Sequence, residues 1–411
     1  MTAPLEDIFV VEIDNWMAAP SAGAILADLG ATVLKIEPLT GDPMRGLSRP
    51  IKSDAVPEEL RTLDYQFDVD NRGKQSIAIA LDQPEGADLV RKLVAKADIF
   101  MCNLLIGRQQ KFGLDPESLF AVRPNLVHAT LTGYGTSGPD AWRPGYDVTA
   151  FFGRSGLYDA SREGNEGMVP MARPAQGDHT TGLALVSAIL AALRLAERTG
   201  EGQAVETSLY ETAVWTQASD YAVTAIDKAP VRRRARHELL AITANRFPCG
   251  DGKWVVFNML PDPAWWPRMC QALELDELID DERFADSRSR YRNMAELIEI
   301  IDERFATRTR DEWGKIFDKA GLIWGPVFAL HEVPQDPHAI ELGIFPEIEH
   351  PEAGTYNTVN APMRFANADV MPRGPAPRIG QHTEGVLEDL GYSAGEIAAM
   401  ANKGIIGTQQ D

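Results

Sequence analysis

One stretch near the middle of the chain, MARPAQGDHTTG at residues 171–182, places a carboxylate where it could do chemistry. Asp178 comes directly before a long apolar run that predicts a buried helix. An aspartate there is a preferred helix N-cap, which stabilises a helix by about 1 kcal/mol. The helix dipole also favours the ionised carboxylate, and the free N–H groups can stabilise an oxyanion nearby. The stretch alone is therefore compatible with a cap, with a nucleophile, and with both.

The neighbours of Asp178 offer further chemistry. Gly177 leaves room for a ligand to approach the backbone, and His179 could act as an acid or base, although we expect it to face solvent. Tyr146 and Asp147 lie in PGYD at residues 144–147. We interpret them as turn residues at the end of a strand, where polar loop residues often serve a site.

A second motif, GYGTSG at residues 133–138, matches the glycine pattern of dinucleotide-binding loops. In those loops a helix must begin at once, so that its N-terminus faces the pyrophosphate. Here the chain continues as PDAWRPGYD, with two prolines and a further glycine. We therefore predict a turn-rich loop after a strand and no dinucleotide site.

The elements that must position these residues alternate between strands and helices. This order predicts an α/β fold with a mostly parallel sheet covered on both faces. The predicted strands are residues 8–14, 32–38, 76–81, 98–103 and 125–135. The predicted helices are residues 19–31, 84–97, 117–124 and 179–199, followed by a strand and helix over 203–223.

The pattern changes after residue 225, which predicts a second domain. A basic, helix-poor stretch at residues 228–238 reads as a linker, and two amphipathic helices follow near 266–275 and 292–308. From about residue 330 the chain is rich in proline and turn residues, with a last helix near 383–392. We predict a large domain from 1–225 and 331–411 and a small α+β domain at 226–330.

Composition excludes several classes of protein. The formal charge of −20 argues against sequence-independent nucleic-acid binding, which needs a basic surface. Cys102, Cys249 and Cys270 are widely spaced and form no metal or disulfide pattern, so we expect a reducing cytoplasm. No secretory signal is visible, and the apolar run at 183–196 is short for a membrane span. We expect no membrane or nucleic-acid partner.

Taken together, these motifs resemble the class III CoA-transferases, a family that includes formyl-CoA transferase, carnitine CoA-transferase and the α-methylacyl-CoA racemases. The resemblance spans nearly the whole chain. It is carried by residues 10–46, 71–81, 132–139, 144–147, 177–213 and 280–327. It implies a large doubly wound, Rossmann-like domain, a small α+β domain and two interlocked subunits. The long irregular stretches around 226–240 and 330–380 suit the linkers of such a homodimer.

The resemblance also implies roles for particular residues. Asp178 matches the family's catalytic aspartate, which forms an acyl anhydride and then an aspartyl-CoA thioester, so we expect it both to cap the helix and to react. Tyr146 and Asp147 match a Tyr–Glu pair of formyl-CoA transferase. No metal is implied, and no cofactor beyond the CoA thioester. The implied CoA-binding residues are Asn15, Met17, Ala18, Lys74, Asn103, Lys111, Arg143 and Gly177.

Tyr146 bears on which reaction is catalysed. The racemase branch has a histidine at this position as its second base, and neutral tyrosine, with a pKa of about 10, is a poor substitute. Asp147 follows on a segment that we expect to be extended, where neighbouring side chains point opposite ways. We predict CoA transfer from an acyl-CoA to a carboxylic acid; the alternatives are a racemase and a non-catalytic CoA-ester-binding protein.

Departures from formyl-CoA transferase bear on the acyl group. Met17 stands where that enzyme has glutamine, and Pro38 stands where it has arginine. Its glycine-rich loop falls near residues 257–262, which contain no glycine. These differences favour a larger or more apolar acyl group.

Overall fold

The computed structural model describes residues 2–173 and 175–408, and these residues form two compact units. The larger unit comprises Met1–Tyr158, Met171–Asp227 and Gly343–Asp411, and the smaller comprises Asp159–Pro170 and Lys228–Leu342. The small domain was predicted at 226–330; the smaller unit begins at Lys228, ends at Leu342 and also includes Asp159–Pro170. The segment 159–170 joins the small unit because its acids pair with arginines there: Asp159 with Arg233, and Glu163 with Arg246 at 2.9 Å.

The elements are as follows. Up to residue 227 they are β1 Phe9–Ile13, α1 Ala18–Asp28, β2 Thr32–Glu37, α2 Glu58–Arg61, α3 Tyr65–Asn71, β3 Gln75–Ile79, α4 Pro84–Val94, β4 Ile99–Cys102, α5 Ile106–Phe112, α6 Pro116–Phe120, β5 Val127–Thr132, a π-helical segment Asp147–Arg154, α7 Leu157–Ala160, α8 Gln176–Thr199, β6 Gln203–Ser208, α9 Leu209–Thr216 and α10 Ala218–Asp227. From 228 to 342 they are β7 Arg246–Pro248, β8 Trp254–Phe257, α11 Asp262–Leu273, α12 Ser287–Arg292, α13 Met294–Phe305, α14 Arg310–Ala320, β9 Trp324–Val327, α15 Pro337–Glu341 and the 3-10 turns Arg236–Glu238, Asp276–Leu278 and Val333–Gln335. The last segment contains β10 Glu347–His350, β11 Gly354–Asn357, α16 Thr383–Asp389, α17 Ala394–Asn402 and β12 Ile406–Gly407.

The large unit is built on a seven-stranded sheet in the order β12-β3-β2-β1-β4-β5-β6. Every pairing is parallel except that of β12, which runs antiparallel to β3 with Ile406 opposite Ile79. The order reverses between β1 and β4, as in doubly wound folds, so a crevice opens beyond the carboxyl ends of these strands. The predicted α/β fold with a largely parallel sheet is confirmed.

The small unit has an antiparallel sheet in the order β7-β8-β9, with helices packed on it. Its core is aromatic: Phe247 stacks on Phe305 with ring centroids 4.9 Å apart, and Trp313 stacks on Phe317 at 5.6 Å. Such a core follows from the alternating apolar residues of β8 and the apolar faces of α13 and α14. In the described residues this unit thus combines a short antiparallel sheet with helices.

The last segment is more ordered than its proline content indicates. Residues 331–411 were expected to return to the large domain through a linker, with one helix near 383–392. This part of the chain also holds the hairpin β10–β11, the helix α17 and the edge strand β12. Side chains 305 residues apart or more tie it to the sheet, since Thr383 Oγ1 accepts from the Ala78 amide at 3.3 Å and His382 Nδ1 accepts from that of Ser76 at 3.1 Å.

Helix α8 carries Asp178 and packs on the alanine-rich α1, all of whose residues are buried. Among the described residues α8 is the one helix long and apolar enough to cross a membrane. Close packing is the simpler reason for that composition. A Cβ on Gly182 would lie 2.1 Å from the Ser21 hydroxyl oxygen, so the small residues of both helices permit their approach.

This contact gives a prediction. Gly182→Ala should lower the free energy of unfolding by about 2 kcal/mol, because the added methyl overfills the α1–α8 contact. The matched control is Gly395→Ala in α17, where a Cβ meets open space. Since alanine is the better helix former, that variant should be unchanged or more stable by about 0.5 kcal/mol. Denaturant unfolding measures both, and equal effects at the two sites would contradict the packing account.

Candidate active site

Helix α8 begins two residues before Asp178, which changes the expected role of this aspartate. The residue before the helix is Ala175, in a left-handed conformation with φ of +79°. Asp178 is thus the third residue of the helix, and the prediction that it is the N-cap is wrong. Among the residues that the structure describes, none donates a hydrogen bond to its carboxylate.

Asp147 is the residue that holds the start of α8. Its Oδ2 accepts a hydrogen bond from the Ala175 amide at 2.8 Å, and its side chain is buried. It opens the π-helical segment instead of continuing an extended chain, while Tyr146 before it is extended and exposed. The extended segment expected at Asp147 is therefore wrong. The Asp147 carboxylate is bonded to the start of α8, whereas Tyr146 lines the cavity with Asp178.

Burial next to a second carboxylate raises the pKa of Asp178 to about 7. Desolvation is the largest cause and the charge of Asp147 is the next; Asp70 adds to them, and His179 opposes them. The helix N-terminus was expected to keep Asp178 ionised, but burial and like-charge repulsion raise its pKa instead. Near neutral pH this carboxyl group exists in both forms.

His179 pairs with an acid and does not simply face solvent. Its Nε2 lies 2.9 Å from Oδ1 of Asp70, a buried residue of α3. Burial disfavours the imidazolium, but the hydrogen bond and charge of Asp70 outweigh it, so the pKa of His179 is raised. The pair thus favours the imidazolium form of His179 beside Asp178.

A cavity of about 280 Å³ lies over Asp178 at the carboxyl ends of β1, β4 and β5. Of the predicted site residues it is lined by Asn15, Ala18, Asn103, Tyr146 and Asp178. Asn103 holds the first loop in place, since its Nδ2 donates to the Asn15 carbonyl at 2.7 Å. The loop after β5 that contains GYGTSG contributes Gly133 and is not followed at once by a helix, as predicted.

A second cavity of about 530 Å³ adjoins the first and shares Asn15, Leu104 and Arg108 with it. It lies beyond β2 and β3 and is lined in part by Pro38 and Leu81. The Oδ1 of Asn15 is buried and has no partner among the described residues, which leaves an acceptor for a ligand. One long molecule could extend through both cavities.

Sequence reasoning missed Trp16 and Arg108, which both line the cavity over Asp178. Trp16 follows Asn15 in the first loop. It could have been predicted from its place in the loop after β1, since ligands bind beyond the carboxyl ends of parallel strands. Arg108 lies in α5, after Asn103, where it was visible as a cation near a strand end. The motif comparison pointed instead to Lys111 three residues later.

Lys74 lines neither cavity. Its ammonium group is fully buried and lies 2.6 Å from a carboxylate oxygen of Glu12, with Asn71 and the Pro20 carbonyl as further acceptors. Placing it against a CoA phosphate would break this pair and leave Glu12 uncompensated. Lys74 therefore neutralises an acid inside the fold.

The other predicted CoA residues lie outside the two cavities. Gly177 is buried against Phe151, with 2.6 Å between a hypothetical Cβ and that ring, so its size serves packing and not ligand approach. Lys111 lies over the ring of Phe112 and Arg143 over that of Tyr134, while Met17 is half-buried. Contacts of Met17, Lys111 and Arg143 with CoA stay predictions.

Comparison of the sequence with known proteins shows the family to which the chain belongs. Residues 5–383 match the model of CoA-transferase family III. The chain is 30% identical to (R)-2-hydroxy-4-methylpentanoate CoA-transferase of Clostridioides difficile, over 96% of this chain and 97% of that one. It is 32% identical to cinnamoyl-CoA:phenyllactate CoA-transferase of Clostridium sporogenes, over 95% and 94%.

A solved structure agrees. The crystal structure of a CAIB/BAIF family protein from Brucella suis superposes with a TM-score of 0.83 at 30% identity, covering 95% of this chain and all of that one. The curated relatives above are named as transferases, which favours that reaction over racemisation and over a non-catalytic role. The chain belongs to CoA-transferase family III and is an enzyme of that class.

Proposed function

We propose that the enzyme moves CoA from an acyl-CoA thioester to a carboxylic acid through covalent intermediates on Asp178. The observation that carries the proposal is the Asp178 carboxylate, which lines a cavity and receives no hydrogen bond from the described residues. A carboxylate used for structure is ordinarily paired or capped. This one is available to a substrate.

The chemistry follows from a carboxylate acting as nucleophile. An Asp178 oxygen attacks the thioester carbonyl, the C–S bond breaks, and CoA leaves as a thiolate while a mixed anhydride forms. The thiolate then attacks the Asp178 carbonyl, which releases the first carboxylate and leaves an aspartyl-CoA thioester. The acceptor carboxylate expels the thiolate to form a second anhydride, and the thiolate attacks its acyl carbonyl. The new acyl-CoA leaves and Asp178 is restored.

The surroundings of Asp178 support this role. A raised pKa makes the carboxylate more basic and hence a better nucleophile, provided that the working pH keeps enough of it ionised. Asp70 favours the imidazolium form of His179, which in turn lowers the pKa of Asp178 and so favours its carboxylate. The free N–H groups of the first turn of α8 supply donors for an oxyanion.

CoA is proposed to extend from the cavity over Asp178 into the adjoining one. Arg108 lines both and offers a cation for a phosphate, in spite of the net charge of −20. The unpartnered Asn15 Oδ1 offers an acceptor for an amide N–H. The enzyme needs no metal or further cofactor for the reaction proposed, since Asp178 and the CoA thiolate carry the acyl group in turn.

The proposed biological unit is an interlocked homodimer in the cytoplasm, acting without nucleic acid or membrane. The proposal rests on the family resemblance and on the linker pattern. It is supported by an apolar strip on α9 and α10, where Trp215, Val223 and Ile226 are 78%, 59% and 83% exposed. Exposed apolar residues grouped on adjacent helices are typical of surfaces that bury against another chain.

Replacing the nucleophile tests the proposal. Asp178→Asn should lower the rate of CoA transfer by about three orders of magnitude or more, because covalent catalysis has no substitute at that position. Stability should not fall: folding raises the pKa of Asp178, so its carboxylate form costs stability above about pH 4, and asparagine removes that cost. Transfer assays and unfolding at pH 8 measure both. The control Asp7→Asn, in an exposed turn, should change neither.

Residual transfer near the wild-type rate in Asp178→Asn would contradict the proposal. So would a loss of activity that only mirrors a loss of folded protein.

The pH dependence gives a second prediction. The rate constant kcat/KM should rise with pH and level off above about pH 7, since Asp178 attacks only as a carboxylate. Asp147→Asn removes a neighbouring negative charge and should move the midpoint to lower pH. His179→Gln removes the positive charge and should move it to higher pH. A flat profile, or shifts in the same direction, would show that Asp178 is not the titrating group.

A further inference from the structure

We infer that Trp16 and Tyr146 form the wall that selects the acyl group, and that this group is the apolar chain or ring of a monocarboxylic acid. The inference rests on the proposed function, because it assumes that the thioester carbonyl lies at Asp178. It identifies Trp16 as a specificity-determining residue and excludes dicarboxylic acyl groups as preferred substrates.

Trp16 has a backbone conformation that large residues rarely adopt. Its φ is +69°, in the left-handed region where the Cβ of an ordinary residue is crowded. Residues held in this way cluster at functional sites, where the surrounding structure imposes the conformation. A glycine at the same position would be free of that strain, so the bulk of tryptophan calls for a reason at this site.

A buried network imposes the conformation. The Trp16 amide donates to Oδ1 of Asp42 at 3.1 Å, and the other carboxylate oxygen of Asp42 lies 3.2 Å from the Lys35 ammonium. Lys35 is fully buried and also pairs with Asp14 at 2.9 Å. The buried Asp42 and Lys35 side chains therefore fix the loop after β1, and this loop holds the Trp16 ring at the cavity.

The Trp16 ring contacts the Tyr146 ring at the cavity. Their centroids lie 5.6 Å apart with the planes at 90°, which is the favoured edge-to-face geometry. Both rings line the cavity with Asp178, and they are 36% and 53% exposed. Since each retains accessible surface there, a ligand's apolar group can cover them.

The charges on the lining argue against a second carboxylate in the ligand. Of the described residues that line this cavity, Asp178 is the only acid and Arg108 the only base. Arg108 also lines the adjoining cavity, where the proposed function uses it for CoA. A terminal carboxylate on the acyl chain would then lie near Asp178 without a free cation on the cavity lining, since His179 lies outside that lining and is already paired with Asp70. A methyl or phenyl group would instead contact Leu105, Leu131 and Leu209.

The test is identity exchange, in which an acyl-CoA and its own isotope-labelled free acid exchange CoA. It needs no knowledge of the natural acceptor. The donors are pentanoyl-CoA and glutaryl-CoA, which both have five carbons but end in a methyl or a carboxylate, together with 3-phenylpropionyl-CoA. The wild type should exchange pentanoyl faster than glutaryl in kcat/KM by about tenfold or more, and 3-phenylpropionyl at least as fast as pentanoyl.

Variants at the wall connect the selectivity to the named residues. Trp16→Gly relieves the backbone strain and removes the ring. It should lower 3-phenylpropionyl exchange about tenfold, while exchange of propionyl-CoA, added as a short donor, should change about twofold or less. Trp16→Phe should retain most of the preference. The control is Trp254→Ala, since Trp254 is 37% exposed and lies outside the cavity; it should leave every ratio unchanged.

Three results would overturn the inference. Glutaryl exchange as fast as pentanoyl exchange would show that the cavity does not disfavour a second carboxylate. A Trp16→Gly effect equal for all donors would show that the ring contacts CoA and not the acyl group. Selectivity that moves in Trp254→Ala as much as in Trp16→Gly would remove the wall. These failures differ from failure of the proposed function, in which the wild type exchanges no acyl-CoA at all.

Discussion

The hydrogen bond from the Ala175 amide to Asp147 joins the two parts of the chain on which the site depends. It fixes the left-handed residue from which α8 begins, and so fixes Asp178 one turn into the helix. It also places a second buried carboxylate behind Asp178. The close contact of Gly177 with Phe151 presses the same two segments together, so the local packing and the electrostatics of the site have one origin.

The cost of this arrangement is ionic. Two carboxylates near each other in a partly buried site disfavour ionisation, and the raised pKa of Asp178 expresses that penalty. His179 reduces it without blocking the cavity, because its own partner is Asp70 on a different helix. The result is a carboxyl group that lines the cavity and is partly ionised near neutral pH, at some expense in stability.

A second group of buried charges positions Trp16, which also lines the cavity. Lys35 and Lys74 pair with Glu12, Asp14 and Asp42 inside the large unit, and Asp42 in turn holds the amide of Trp16 in its strained conformation. Both walls of the cavity are thus set by buried polar contacts, while the lining itself is largely apolar.

Much of this could be predicted from sequence, for physical reasons. The first strands and helices were found because buried parallel strands are continuous apolar runs and α1 and α8 are rich in alanine and leucine. Asp178 and the Asn15 loop were found because the family motif names them. Long-range contacts could not be predicted. Lys74 pairs with Glu12, 62 residues earlier in the chain, and β12 pairs with β3 through Ile406 and Ile79. The start of α8 was misplaced because Asp178 looks like a cap, whereas Ala175 precedes the helix through a bond to Asp147.

Locating the covalent intermediate tests the central claim most directly. The enzyme is incubated with pentanoyl-CoA without added acceptor, quenched in acid, digested and analysed by mass spectrometry. The account predicts CoA in thioester linkage on the peptide that contains Asp178, and its conversion to a hydroxamate at Asp178 when hydroxylamine is added. Active enzyme that carries CoA on another residue, such as Asp147, or that turns over with no adduct at any carboxylate, would contradict it.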